Sequence, residues 1–190
     1  MFHDLTLPFA SALEASAGFD ARDSSLAQKG HVGTHLDKVQ GSVMPLEYFR
    51  SRALLFDVSS FCRERQVEPA DIALAMVAQG DFVLIRTGLL EQYGYGSTEY
   101  NKAPFELSWE LIGLLSEKRL RFVGVDARGL RLGQEHRKAD SLFENRGAYV
   151  IENLNALESL PALTPFTIYT APFDTGGSGV PCRVIAETAD

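Results

Sequence analysis

Between Leu54 and Asp126 the chain switches its hydrophobic period four times, and that alternation restricts the folds open to it. Leu54-Leu-Phe-Asp-Val58 reads as a buried strand. Pro69, Asp71, Ile72, Ala75, Met76 and Gln79 then predict a helix, with proline in its first turn and Gly80 as its stop. Phe82-Val-Leu-Ile-Arg-Thr87 is again strand-like. Leu107, Leu111, Leu114 and Leu115 form one stripe of a second helix, Leu107 to Lys118, capped by Ser108, and Leu120 to Asp126 returns to a strand. Strand, helix, strand, helix, strand predicts an α/β domain with some parallel pairing.

The flanks add simpler pieces. Residues 2 to 9 alternate like a strand ended by Pro8, and residues 10–30 read as an irregular arm or short helix. Pro45 opens a helical turn through Leu46, Phe49 and Arg50. Gly88 to Lys102, with three glycines and with Tyr93, Tyr95 and Tyr100, predicts a long loop whose tyrosines either line a pocket for a planar substrate or pack loosely. Strand-like runs at Ala148–Glu152, Phe166–Thr170 and Val180–Ala186 are expected as antiparallel additions. Asp174-Thr-Gly-Gly-Ser-Gly179 has no following lysine and no strand-to-helix setting, so a turn or flexible loop is expected there rather than a phosphate cradle.

A length of 190 residues with 45% hydrophobic and 23% charged side chains suits one globular domain over residues 1–190. The excess of 25 acidic over 18 basic residues gives a net charge of -7, which argues against nucleic acid or an anionic membrane as partner and leaves small molecules. No apolar run approaches the roughly 20 residues needed to span a bilayer. The N-terminus carries Asp4 and no basic region, so the cytoplasm is the expected compartment. Cys62 and Cys182 cannot build a disulfide framework or a thiolate zinc site, and neither has the setting of a nucleophile.

Function points to His31-Val-Gly-Thr-His-Leu-Asp37, where two imidazoles and a carboxylate fall within seven residues. Such a donor set suits zinc first and manganese second. An extended backbone would put His31, His35 and Asp37 on one face, and Gly33 between β-branched Val32 and Thr34 disfavours a helix. The competing reading is a surface segment whose side chains satisfy backbone hydrogen bonds. Further donors are Asp126, His136 and Asp140 in Gly133-Gln-Glu-His-Arg-Lys-Ala-Asp140, and Glu152, a carboxylate after Tyr-Val-Ile that is costly to bury without a cation or donors.

The His-x-Gly-Thr-His-x-Asp core stands in order before Phe56-Asp-Val-Ser59, Gly80-Asp-Phe-Val-Leu-Ile-Arg-Thr-Gly88, Val123-Gly-Val-Asp126, Ile151-Glu-Asn-Leu154 and Gly179-Val-Pro-Cys-Arg183. This series resembles the putative-cyclase family, which includes bacterial kynurenine formamidases and isatin hydrolase. The resemblance implies a swivelling β/β/α-type fold with a mixed sheet, usually homodimeric, and metal-dependent hydrolysis of a C–N bond in a formamide or small ring, with zinc or manganese. It implies His31, His35, Asp37 and Glu152 as metal ligands.

Two departures stand out. Where the family pattern continues Asp-x-Pro-x-His, this chain has Asp37-Lys-Val-Gln-Gly41, and a later histidine of the pattern falls on Asp140. Asp140, or His136 one helical turn earlier, is therefore the candidate for the vacated metal position. Glu152, His136 and Lys38 are the candidate bases, in that order, with Thr34 and Asp126 as orienting groups. The missing histidine also leaves open a catalytically impaired family member that binds metal or a small molecule.

Overall fold

The computed structural model describes residues 1–16, 29–173 and 175–189. Strands β1 (Phe2–Asp4) and β2 (His35–Asp37) precede a parallel run of β3 (Arg50–Asp57), β4 (Phe82–Arg86), β5 (Phe122–Val125) and β6 (Tyr149–Glu152), each beside the last. The long antiparallel pair β7 (Phe166–Pro172) and β8 (Gly179–Glu187) follows. β7 flanks β3, β2 lies between β6 and β8, and the β7–β8 pairing closes seven strands into a mixed barrel. β1 pairs with the far end of β8.

The parallel strands are buried on both faces, which explains their unbroken apolar runs. Phe82, Leu84, Phe122 and Ile151 fill one layer with Leu36, Ile168 and Val184. Val83, Ile85, Val123 and Val125 pack on the other face with Leu111, Ile112, Leu115 and Phe143. Those last four belong to α4 (Trp109–Glu117) and α5 (His136–Glu144), which follow α1 (Phe9–Ser16), α2 (Leu89–Tyr93) and α3 (Thr98–Lys102). Gly124 is small for a packing reason, since a Cβ there would sit 2.6 Å from the Phe82 ring. The α/β, swivelling β/β/α-type architecture is the one expected. No helix among the described residues is long and apolar enough to cross a membrane.

Three local expectations need correction. Residues 69–79 form no α-helix but two 3-10 turns, Pro69–Asp71 and Leu74–Met76. A reciprocal cap between Glu68 and Asp71 closes the first turn, and Ile72 leaves it extended to bury its side chain. Gly88 to Lys102 is not a long loop, since it folds into α2 and α3, the latter capped by Ser97 accepting the Tyr100 N–H at 3.1 Å. Residues 148–152 join the sheet parallel to β5, because α5 supplies the crossover between them. Within the arm expected at 10–30, α1 covers residues up to Ser16, while residues 17–28, like Asp174, lie outside the described residues.

Candidate metal centre

The antiparallel register of β2 and β6 sets His35 directly opposite Glu152, and their side chains meet with His35 Nε2 3.6 Å from Glu152 Oε2. Gly33, at φ +68°, turns the chain just before β2, so His31 folds back onto His35 with ring centroids 4.9 Å apart. His31, His35 and Asp37 converge as expected, although a turn at Gly33 rather than a continuous strand brings them together. His31 Nδ1 lies 3.1 Å from His35 Nε2 and 3.0 Å from Asp37 Oδ1, and His35 Nε2 lies 3.3 Å from the same oxygen. Donor atoms about 2.1 Å from a tetrahedral ion stand roughly 3.4 Å apart, close to this triangle.

α5 brings the second half. His136 and Asp140 are one turn apart on its inner face, and His136 Nε2 lies 3.2 Å from Asp37 Oδ2, 3.2 Å from Asp140 Oδ2 and 3.3 Å from Glu152 Oε1. His31, His35 and Asp37 form one potential metal-holding triad, and Asp37, His136 and Glu152 form another that shares Asp37. Gly129, at φ +96°, permits the approach of α5, because a Cβ there would meet the His136 ring at 2.6 Å and Glu152 Oε1 at 2.7 Å.

Three carboxylates, each no more than 5% exposed, crowd this space. Burial pushes Asp140 up to about 8, with the charges of Asp37 and Glu152 adding to the effect. Burial, with Asp37 beside it, also raises Glu152. Asp37 goes the other way: the imidazoles of His136, His31 and His35 crowded against it overcome its burial and hold it well below the usual carboxylate range. Burial opposes the imidazolium of His35 and of His136, but the surrounding carboxylates win and raise them to about 9 and about 10.

Even so, Asp37 Oδ1, both Asp140 oxygens and Glu152 Oε1 are buried without a hydrogen-bond partner among the described residues. Orphaned buried carboxylate oxygens facing imidazole nitrogens are the arrangement a divalent cation resolves, so the residues present fit the metal that the sequence implies.

Other sequence candidates sit elsewhere. Asp126 accepts the Thr87 and Gly88 N–H groups at 2.6 and 2.8 Å, pinning the turn into α2, and burial raises it to about 6. The Thr34 hydroxyl donates to the Asn153 carbonyl at 2.7 Å and accepts the Leu7 N–H at 2.8 Å, so it ties three segments together rather than addressing the cluster. Lys38 is half-buried and gives its backbone N–H to the Ser178 carbonyl at 2.7 Å. Tyr93 meets Arg63 near the surface, Tyr95 accepts the Gly33 N–H at 3.0 Å, and Tyr100 is buried against Asn153. Both cysteines are buried, with Cys62 pushed up to about 11 by burial and Cys182 raised by burial as well, which keeps them as thiols.

Some participants escaped the sequence reading. Ser178 Oγ lies 2.8 Å from His31 Nε2, so the glycine-rich turn serves this site. Its glycines are the available signal, since Gly177 and Gly179 pack directly on the backbone of Lys29 and Gly30. Glu144 ties down the loop that carries Gly41, accepting Gln40 N–H at 2.7 Å and the Ser42 hydroxyl at 2.6 Å.

The sequence profile of the family described as "Putative cyclase" matches residues 3–130, and the chain belongs to that family. Among solved structures, an isatin hydrolase bound to the product analogue thioisatinate is similar at a TM-score of 0.72 and 18% identity, over 84% of this chain and 72% of that one. Isatin hydrolase A from Labrenzia aggregata, bound to benzyl benzoate, is similar at 0.70 and 23% identity, over 84% and 74% of the two chains. A structure titled a potential metal-dependent hydrolase with cyclase activity is similar at 0.71 and 22% identity, over 98% and 96%. At these identities the likeness establishes the fold. No match is found among curated proteins.

Proposed function

We propose that this chain is a metal-dependent hydrolase that cleaves the C–N bond of an amide, formamide or cyclic amide in a small molecule. The observation that carries the reading is the set of buried oxygens on Asp37, Asp140 and Glu152, unpartnered among the described residues, beside three imidazoles. His31, His35, Asp37 and Glu152 would hold the ion, with Asp140 at the position vacated by the family histidine; two imidazole nitrogens place zinc ahead of manganese. A bound divalent cation supplies Lewis acidity toward a carbonyl and acidifies nearby water.

Proton handling falls to Glu152 and His136. Glu152 is enclosed, whereas the His136 side chain is 31% exposed and can exchange protons with bulk water. Lys38 stands third. The isatin hydrolases among the similar structures favour cyclic amides within this class. The working form is a homodimer, as the resemblance implies, and we place it in the cytoplasm.

Turnover of a panel of formamides, imides and isatin-like rings with added zinc or manganese tests the proposal. Metal-dependent turnover lost in His35→Ala and Asp37→Ala supports it, and turnover persisting in both variants refutes it. Gly41 favours a second reading, a binding protein that keeps the metal without catalysis, because glycine stands where the family pattern has a histidine. Stoichiometric metal with no turnover across the panel would select that reading.

A further inference from the structure

We propose that Asn153 is a positioning residue for the cation site, fixing through the Gly33 carbonyl which nitrogen of His35 faces the ion; this rests on the metal-site reading above. Asn153 follows Glu152 directly, is 2% exposed and holds φ at +56°, a conformation asparagine tolerates better than most residues. Its backbone is clamped at both ends, with the N–H donating to the Ala127 carbonyl at 3.1 Å and the carbonyl accepting the Thr34 hydroxyl at 2.7 Å.

The side chain bridges two elements. Its Nδ2 donates to the Gly33 carbonyl at 3.0 Å, and its Oδ1 accepts the Tyr100 hydroxyl at 2.6 Å. The orientation of the amide is settled by chemistry, because a carbonyl oxygen only accepts and therefore requires the NH₂ end. Tyr100, fully enclosed in α3, holds the other end.

The same Gly33 carbonyl lies 2.9 Å from His35 Nδ1. In the neutral ring that a metal would bind, that contact makes Nδ1 the protonated nitrogen and leaves the lone pair on Nε2, turned toward His31, Asp37 and Glu152. Without the bridge, the Gly33 carbonyl is fixed only by the turn, the His35 ring can rotate about its bond, and the spacing of β2 from Glu152 relaxes. Asn153 thus couples Glu152, its neighbour in sequence, to His35, which faces Glu152 across the sheet.

The test uses the metal-stripped full-length chain titrated with Co²⁺ against a chromophoric chelator, with the cobalt absorption spectrum as a second readout. Asn153→Gly keeps the left-handed backbone and deletes the bridge; Tyr100→Phe keeps the bulk and removes only one donor. The expected result is a 10- to 100-fold loss of Co²⁺ affinity and an altered cobalt spectrum for Asn153→Gly, with a smaller loss in the same direction for Tyr100→Phe. A purely structural role would lower the melting temperature while leaving the spectrum unchanged. Wild-type affinity and spectrum in both folded variants overturn the proposal alone. A wild-type chain that binds no Co²⁺, Zn²⁺ or Mn²⁺ overturns the metal-site reading and this proposal with it. Should Asn153→Gly fail to fold, Tyr100→Phe decides by the same two readouts.

Discussion

Replacing Asp140 with asparagine should stabilise the metal-free protein while weakening its hold on metal, an opposition that few surface substitutions would produce. Asp140 is 3% exposed, and burial beside Asp37 and Glu152 raises its carboxyl from 3.8 to about 8. At pH 7 the folded chain keeps it protonated, whereas the unfolded chain ionises it. Holding that proton over the roughly 3 pH units between 3.8 and 7 costs about 4 kcal/mol at 1.36 kcal/mol per unit. Relaxation and water entry reduce this, so Asp140→Asn should add about 2–4 kcal/mol to the metal-free protein.

The sign with pH follows. A carboxyl raised in the folded state leaves stability intact below 3.8 and erodes it as pH climbs to about 8, so the gap between variant and wild type should widen over that window and then level off. Urea unfolding of chelator-treated protein at several pH values between 4 and 9 measures it. Saturating zinc should reverse the ranking, because the variant has one anionic donor fewer. Parallel pH profiles for the two metal-free proteins, or a less stable variant at pH 8, would refute the reasoning.

Other substitutions probe neighbouring features. Gly129→Ala should lower zinc affinity at least tenfold and cost about 1–3 kcal/mol, since its Cβ would press on His136 and Glu152; chelator competition and thermal melts read both. Glu144→Gln should cost about 1–3 kcal/mol, because one amide oxygen cannot serve the donors from Gln40 and Ser42. Burial works against the Glu144 carboxylate, but those donors hold it below 4.5, so its contribution is present above that pH and lost as pH falls; the variant should lack this acid slope in urea unfolding. Zinc at 100 times its dissociation constant should add about 2.7 kcal/mol, raising the melting temperature of the stripped protein by roughly 5–11 °C.

Much of the frame was legible because its signals are local. Apolar runs such as Phe82–Ile85 and the leucine stripe with the Ser108 cap each determine an element by themselves. The helix expected at residues 69–79 failed because periodicity there was shared by two short turns, with Ile72 and Val77 reaching the core from extended backbone. Half of the site was visible for a similar reason, since His31, His35 and Asp37 lie within one turn and one short strand.

The other half depends on pairings between distant segments. Glu152 meets His35 through strand register, and His136 arrives with Asp140 only because α5 crosses from β5 to β6. Ser178 and Asn153 lie in segments the sequence marks, Asp174–Gly179 and Ile151–Leu154, but their roles rest on hydrogen bonds to His31 and to Gly33 across more than 100 residues of sequence.

The central claim is that this cluster holds a divalent ion, and an anomalous-scattering crystal structure of the zinc-reconstituted protein, paired with its metal content in solution, tests it most directly. The expected result is a peak within coordination distance of His31, His35, Asp37 and Glu152, with stoichiometric zinc that is lost in His35→Ala. A reconstituted protein with no metal, or a peak away from Asp37 whose occupancy survives His35→Ala, would contradict it.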